Sequence, residues 1–209
     1  MSDENCIDPL GLLQYCAGQY IFADPALETL LRLKCQRIES VVRVLCGGFR
    51  SRGMKVAMDL FAPFLAPLVG QDYRRLGAMA DFIKPMLYRH TYTPAGLSFE
   101  LDAMARAVSE AAPAYAARRA YLRQVTGMDS DTGGFFEREL AAIPPVGRVV
   151  PGIELHTAEG LPPVRRTDIA DSVHRVEQAG YFDRVACWDI LSADQKAIET
   201  FAGIAGRDQ

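Results

Sequence analysis

Four short apolar runs with polar or charged side chains at their downstream ends constrain the fold of this chain more than any other feature. The runs occupy residues 54–61, 81–88, 149–156 and 184–190. Runs of this kind are typical of buried parallel strands whose carboxyl ends meet at one edge of a sheet. Helical patterns separate the runs, and this alternation predicts parallel strands joined by helical crossovers. The sequence therefore predicts an α/β fold.

The downstream ends of these runs supply the candidate site. Three acids, two bases and two aromatic rings lie there: Asp59, Glu154, Asp189, Lys84, His156, Tyr88 and Trp188. Alternate residues of a strand share one face, so Glu154 and His156 are predicted to point the same way, as are Lys84 and Tyr88. A lysine in an apolar strand is costly to bury without a partner, so Lys84 is predicted to reach a carboxylate or a ligand.

The chain is interpreted as one domain over residues 1–209, with an N-terminal helical segment (1–50) and β/α units (51–209). Asp24 followed by Pro25 is a strong helix start, because Asp caps the amino end and Pro fits the first turn. Leucine, isoleucine and valine then recur at helical spacing for about twenty residues.

Three further helix boundaries are predicted from single residues. Ser98 and Thr167 are predicted to cap the amino ends of helices. Pro113 is predicted to break or kink the long helix that begins at Ser98, because proline lacks the backbone N–H. The apolar cluster at residues 10–15 has no clear periodicity, so its secondary structure stays open.

Composition excludes several classes of protein. The formal net charge is -3 over 209 residues, which gives no field to attract nucleic acid or an anionic membrane. No apolar run is long enough to span a bilayer, and the amino terminus lacks the pattern of a secretory signal. The five cysteines are widely spaced and odd in number, which favours reduced, buried thiols and a cytoplasmic location.

No cofactor or metal is predicted. A glycine-rich phosphate-binding turn after the first strand is missing, which weighs against a dinucleotide fold. There is no Cys-x-x-Cys pair. A metal site built from Glu154, His156 and Asp189 is chemically conceivable, but no ligand-spacing motif supports it.

The number of strands is half that of a complete barrel. An eightfold β/α barrel needs about 250 residues, whereas four strands are evident here, which leaves a small open sheet or the C-terminal half of a barrel. The segments KVAMDLFAPFLAPLVGQDY, ADFIKPMLYRHTYTPAG, VVPGIELHT and AGYFDRVACWDIL resemble the later strands of glycoside-hydrolase-like TIM-barrel proteins. The family's first strands, with an expected carboxylate, have no counterpart in this chain. The resemblance therefore implies a partial, half TIM barrel.

The resemblance also implies carbohydrate chemistry. Glycoside hydrolysis uses two carboxyl groups, one as the acid and the other as the base or nucleophile. Glu154 is the first candidate, because Gly152 beside it would let a substrate approach closely. Asp59 and Asp189 compete for the second role. Substrate-binding roles fall to Lys84, Tyr88, His156 and Trp188, with the rings offering flat surfaces for sugars.

Two alternatives remain open beside a hydrolase. One is a non-catalytic, truncated barrel that binds carbohydrate or protein, and the other is a lyase or decarboxylase that uses Lys84. In each case the expected partners are a carbohydrate or another small molecule, together with a second copy of the chain or a missing barrel half. If the chain is a fragment, an upstream signal peptide would change the expected location.

Overall fold

The four predicted strands are all present and parallel. The computed structural model describes residues 6–7, 13–16, 18–109, 111–126, 134–155, 163–187 and 193–205. The parallel strands are β4 (Ala57–Phe61), β5 (Phe82–Met86), β6 (Gly152–Glu154) and β7 (Val185–Cys187). β4 pairs with β5, β6 pairs with β7, and a parallel bridge between Ile83 and Val149 joins the two pairs. The strands therefore follow one another in chain order, as the alternation of strand and helix predicted.

Helices connect these strands. They are α1 (Pro25–Arg50), a 3-10 helix (Ala66–Val69), α2 (Tyr73–Gly77), α3 (Leu97–Ala107), α4 (Ala112–Thr126), α5 (Phe135–Ala142), α6 (Arg166–Gln178) and α7 (Gln195–Ala205). Asp24 caps α1 as predicted, because its carboxylate accepts a hydrogen bond from the Ala26 N–H at 2.8 Å.

Two predicted boundaries were wrong. Gly96, not Ser98, is the N-cap of α3, and Arg165, not Thr167, is the N-cap of α6. The predicted break at Pro113 is confirmed, because α3 ends at Ala107 and Pro113 lies in the first turn of a separate helix, α4. Proline is well tolerated there, since the first-turn N–H groups have no helical partner in any case.

The residues before α1 form an antiparallel sheet that the sequence analysis did not predict. Its strands are β1 (Cys6–Ile7), β2 (Leu13–Cys16) and β3 (Gln19–Phe22), with β2 in the middle. Gly18, between β2 and β3, has φ of 85°, a left-handed conformation that glycine adopts at little cost. Only the part of the N-terminal segment from Pro25 onward is helical among the described residues.

One hydrophobic core fills the space between the parallel strands and the helices. Buried side chains come from one face of β4, β5 and β6 and from the inner faces of α3, α5 and α6: Leu60, Ile83, Ile153, Leu101, Leu140, Ile169, Val173 and Val176. Since strand side chains alternate between faces, the neighbouring residues of these strands point to the other side of the sheet. That second face carries the predicted site.

A buried carboxylate fastens the N-terminal sheet to the rest of the fold. Glu139 on α5 is almost completely buried and accepts hydrogen bonds from the Tyr15 hydroxyl (2.6 Å) and the Phe64 N–H (2.7 Å). The Tyr20 hydroxyl donates to the Phe64 carbonyl. Burial is the largest influence on Glu139 and outweighs these hydrogen bonds, which raises its pKa to about 7.

The cysteine prediction was wrong at one position. Cys16 is disulfide-bonded, whereas Cys35 and Cys46 are free thiols. Wide spacing along the sequence did not reveal this bond, because strand pairing determines which residues become neighbours. The interpretation of all cysteines as reduced thiols therefore does not hold.

The predicted α/β class is confirmed, and the sheets are small. No closed barrel is formed by the described parts of the chain. Within those same parts, no helix combines the length and hydrophobicity required to cross a membrane.

Candidate functional site

An ion pair links the first two parallel strands. Asp59 on β4 and Lys84 on β5 are register partners, and the Lys84 Nζ lies 2.7 Å from the Asp59 Oδ2. The Asp59 side chain is 54% exposed, whereas that of Lys84 is 13% exposed. The expectation that Lys84 would reach a carboxylate is confirmed. The pair presents an accessible carboxylate held beside a largely enclosed ammonium group.

The stem of Lys84 lies over a glycine of the third parallel strand. A Cβ atom at Gly152 would lie 3.2 Å from the Tyr88 ring and 3.3 Å from the Lys84 Cγ and Cδ atoms. Lys84, Tyr88 and Gly152 therefore share one sheet face, which we call the site face together with Asp59 and Glu154. The close approach that Gly152 permits is made by the protein's own side chains rather than by an open space for substrate.

Glu154 holds the loop that follows β5. Its Oε1 accepts hydrogen bonds from the backbone N–H groups of Arg89 (2.8 Å) and His90 (2.7 Å), and its side chain is only 1% exposed. The amides come from a segment more than sixty residues away in the chain. The Glu154 carboxylate therefore holds in place the loop that follows β5, at the carboxyl end of the parallel strands.

The loop held by Glu154 is tightly folded. Gly96 lies so close to the Thr91 carbonyl that an added Cβ would be 2.1 Å from its oxygen. Ala95 has φ of 72°, a left-handed conformation that costs a residue with a Cβ about 1–2 kcal/mol. The Thr91 and Thr93 hydroxyl oxygens are buried without a hydrogen-bond partner. Strained backbone and unsatisfied polar groups of this kind concentrate at functional loops.

A second electrostatic cluster, which sequence reasoning missed, joins this loop to the helices. The Arg89 guanidinium donates to Asp171 on α6 and lies 5.1 Å from the centroid of the Phe136 ring on α5. Arg175 also donates to Asp171, at 3.0 Å, and to Glu137 at 2.5 Å. Burial would raise the pKa of Asp171, but the hydrogen bonds from Arg89 and Arg175 prevail and lower it.

The structure brings together the predicted residues that it describes. Asp59, Lys84, Tyr88 and Glu154 all lie on β4, β5 and β6 or directly after them, on one side of the sheet. His156, Trp188 and Asp189 lie outside the described residues. The only sequence sign of the missed cluster was an arginine directly after an apolar strand, which does not by itself identify Asp171.

No group of three metal-binding side chains occurs among the residues that the structure describes. Comparison of the chain with models of known protein families, with curated protein sequences and with solved structures finds no match. The chemistry of the site therefore has to be argued from its own geometry.

Proposed function

We propose that this chain is a glycoside-hydrolase-like protein, folded as half of a TIM barrel, whose site face binds carbohydrate. The single observation that carries the proposal is the Asp59–Lys84 pair, with an exposed carboxylate oxygen next to a fixed ammonium group. Four consecutive parallel strands with helical crossovers support the barrel-half interpretation. The resemblance of the later segments to that family supports the choice of a sugar as ligand.

The chemistry of the pair suits adjacent sugar hydroxyl groups. A carboxylate only accepts hydrogen bonds and an ammonium only donates them, so together they match the donor and the acceptor of two neighbouring hydroxyls. Hydrogen bonds to charged groups are stronger than those between neutral groups. Because Lys84 is already held by Asp59, little side-chain freedom remains to be lost on binding.

Tyr88 and Glu154 have supporting roles in this proposal. Tyr88 is buried, so it fixes the stem of Lys84 at Gly152 rather than offering a ring face to the sugar. Glu154 fixes the position of the loop after β5 through its hydrogen bonds with the Arg89 and His90 amides. Both are therefore positioning residues, and their loss should disturb the ligand indirectly.

The geometry favours binding over hydrolysis or imine chemistry. Hydrolysis needs two carboxyl groups facing the same bond, and Glu154 is buried with both of its backbone donors in place. A lyase mechanism through Lys84 would first have to break its ion pair with Asp59. Binding requires neither rearrangement.

The test is a glycan array followed by calorimetry with the best ligand. We expect Asp59→Asn and Lys84→Met each to weaken binding at least tenfold. Asp183→Asn, which removes another exposed ion pair at Arg148, is the matched control and should bind like the wild type. Because the Lys84 side chain is only 13% exposed, Asp59→Asn leaves its ammonium group largely enclosed without an anionic partner and should lower the unfolding temperature, so binding is measured where circular dichroism shows each variant folded.

Two results would refute the proposal. One is a folded wild-type chain that binds no glycan, and the other is binding that Asp59→Asn and Lys84→Met leave unchanged. Aryl glycosides are assayed in parallel with wild type and Glu154→Gln. Turnover that disappears only in Glu154→Gln would replace the binding proposal with a hydrolase.

A further inference from the structure

The first part of β4 has an uncovered outer edge next to an exposed face of α1, whereas at the other end of the strand Gln71 and Tyr73 bind the Phe61 N–H and carbonyl. β4 pairs with β5 on one side only, and the other side has no strand partner among the described residues. The Asp81 N–H donates to the Val56 carbonyl, so the backbone groups of Val56 face β5. In a parallel pair the backbone groups of successive residues face opposite sides, so those of Ala57 and Asp59 face away from β5. Both residues are exposed. An unpaired edge of this kind is a template for another strand.

The helix that leads into β4 exposes an apolar stripe. Leu30 is 62%, Val41 60% and Val44 74% exposed. The stripe also includes half-exposed apolar side chains and runs along most of α1: Leu33, Leu45 and Phe49. Another face of α1, with Cys35, Val42 and Cys46, packs against the rest of the fold, and the exposed arginines Arg32 and Arg43 lie beyond it.

The apolar area of this surface approaches that of a protein–protein interface and exceeds what isolated exposed leucines would give. The exposed parts of the six stripe side chains amount to roughly 600 Å² of apolar surface, which the exposed side chains of Lys34 and Arg37 interrupt. A standard interface buries about 800 Å² on each partner. The unpaired edge of β4 and the side chains around it add the remainder.

We infer that this surface, the stripe of α1 with the outer edge of β4, is where a second copy of the chain docks head to tail. The outer edge of β7 from the second copy pairs with β4 and keeps all strands parallel. Two such contacts related by a twofold axis give eight parallel strands, the number that closes a β/α barrel. Closure removes the edges of both copies at once.

Charge distinguishes this arrangement from pairing of two identical α1 surfaces. Lys34 and Arg37 are exposed and lie within the stripe, between Leu33 and Leu45 in the angular order around the helix. A symmetric α1–α1 contact would bring these cations against their own copies, and like charges at an interface cost free energy. It would also leave the outer edge of β7, which has no strand partner in the described part of the chain, unpaired in both copies. The inference rests on the half-barrel part of the proposed function but not on its carbohydrate ligand, so failure to bind glycans and failure to dimerise are separate results.

The test measures the mass of the intact chain in solution by light scattering. We expect twice the chain mass of 23.0 kDa for the wild type. Val41→Glu should give the monomer, whereas Arg32→Glu, nine positions away and therefore on the opposite side of the helix, should remain a dimer. Both substitutions are exposed and helix-compatible, so circular dichroism should show both variants folded.

Hydrogen exchange examines the strand edge itself. The amides of Ala57 and Asp59 should be protected in the wild-type dimer and should exchange at least tenfold faster in Val41→Glu. A wild-type monomer, a polymer whose mass grows with concentration, or a dimer unchanged by Val41→Glu would each overturn the inference. Rapid exchange of these amides in the dimer would overturn the edge pairing.

Discussion

The buried carboxyl of Glu139 makes the stability of the fold depend on pH in an unusual direction. Most acidic side chains in proteins have a lowered pKa, and folding is then lost in acid. Here burial raises the pKa of Glu139 from the ordinary value of 4.5 to about 7. Between these values the folded chain binds more protons than the unfolded chain, so stability falls as pH rises through this window.

The magnitude follows from the two pKa values. A tenfold change in proton affinity corresponds to about 1.4 kcal/mol. The contribution of Glu139 is therefore fully present only well below pH 4.5, is about three quarters present at pH 5, falls by about 2.5 kcal/mol between pH 5 and pH 8, and changes little above that. With a urea dependence of about 2–3 kcal/mol per molar, the midpoint of unfolding should shift by about 1 M.

The assay is urea unfolding followed by circular dichroism at pH 5 and pH 8. Glu139→Gln is the informative variant, because its amide still accepts from the Phe64 N–H and can donate to the Tyr15 oxygen. It should lose most of the pH dependence and be more stable than the wild type at pH 8. Glu139→Leu leaves the Phe64 N–H without a partner and should cost about 1–3 kcal/mol.

Other acids do not obscure this window. The hydrogen-bonded carboxyl groups of Asp171 and Asp168 have lowered pKa values, so their contribution is lost only as pH falls below the ordinary range of aspartate. A wild-type chain that is equally stable, or more stable, at pH 8 than at pH 5 would refute the reasoning. So would a Glu139→Gln variant that loses as much stability as the wild type.

Three further predictions concern single positions. Gly152→Ala should lower the free energy of unfolding by about 1 kcal/mol in denaturant, because its Cβ crowds Tyr88 and Lys84; a wild-type value would contradict the packing. Ala95→Gly should raise the melting temperature by the relief of about 1 kcal/mol of left-handed strain, and a lower temperature would show that the loop relaxes. Since Cys16 has a disulfide partner among the five cysteines, the unfolded, unreduced chain should titrate three thiols; five would disprove the bond.

The strands were predictable because their signal is local. Apolar runs of five to eight residues bounded by turns are a direct sign of buried strands. In the same way, the two adjacent residues Asp24 and Pro25 are enough to predict where α1 begins. Lys84 in an apolar run similarly required a partner. Which carboxylate pairs with Lys84 depends on the register of β4 and β5, which the sequence pattern alone does not determine.

The parts that failed depend on distant contacts. Tyr15 and the strand around it are stabilised by Glu139, 124 residues away, so no window of sequence contains both partners. Gly96 starts α3 early because the close approach of the Thr91 carbonyl leaves no room for a side chain. Glu154 was recognised as a polar residue at the end of a strand. Its role in holding the β5 loop was not predictable, because its partners are backbone amides, which every residue except proline possesses.

The hold that Glu154 exerts on Arg89 and His90 also implies an order of events during folding. The loop after β5 is synthesised long before β6, yet its amides find their acceptor only when β6 has joined the array. Contacts of such long sequence separation form slowly, because a large loop of chain must first be closed. The loop after β5 therefore cannot be completed before β6 has joined the array, and a nascent chain interrupted before Glu154 lacks the acceptor for the Arg89 and His90 amides.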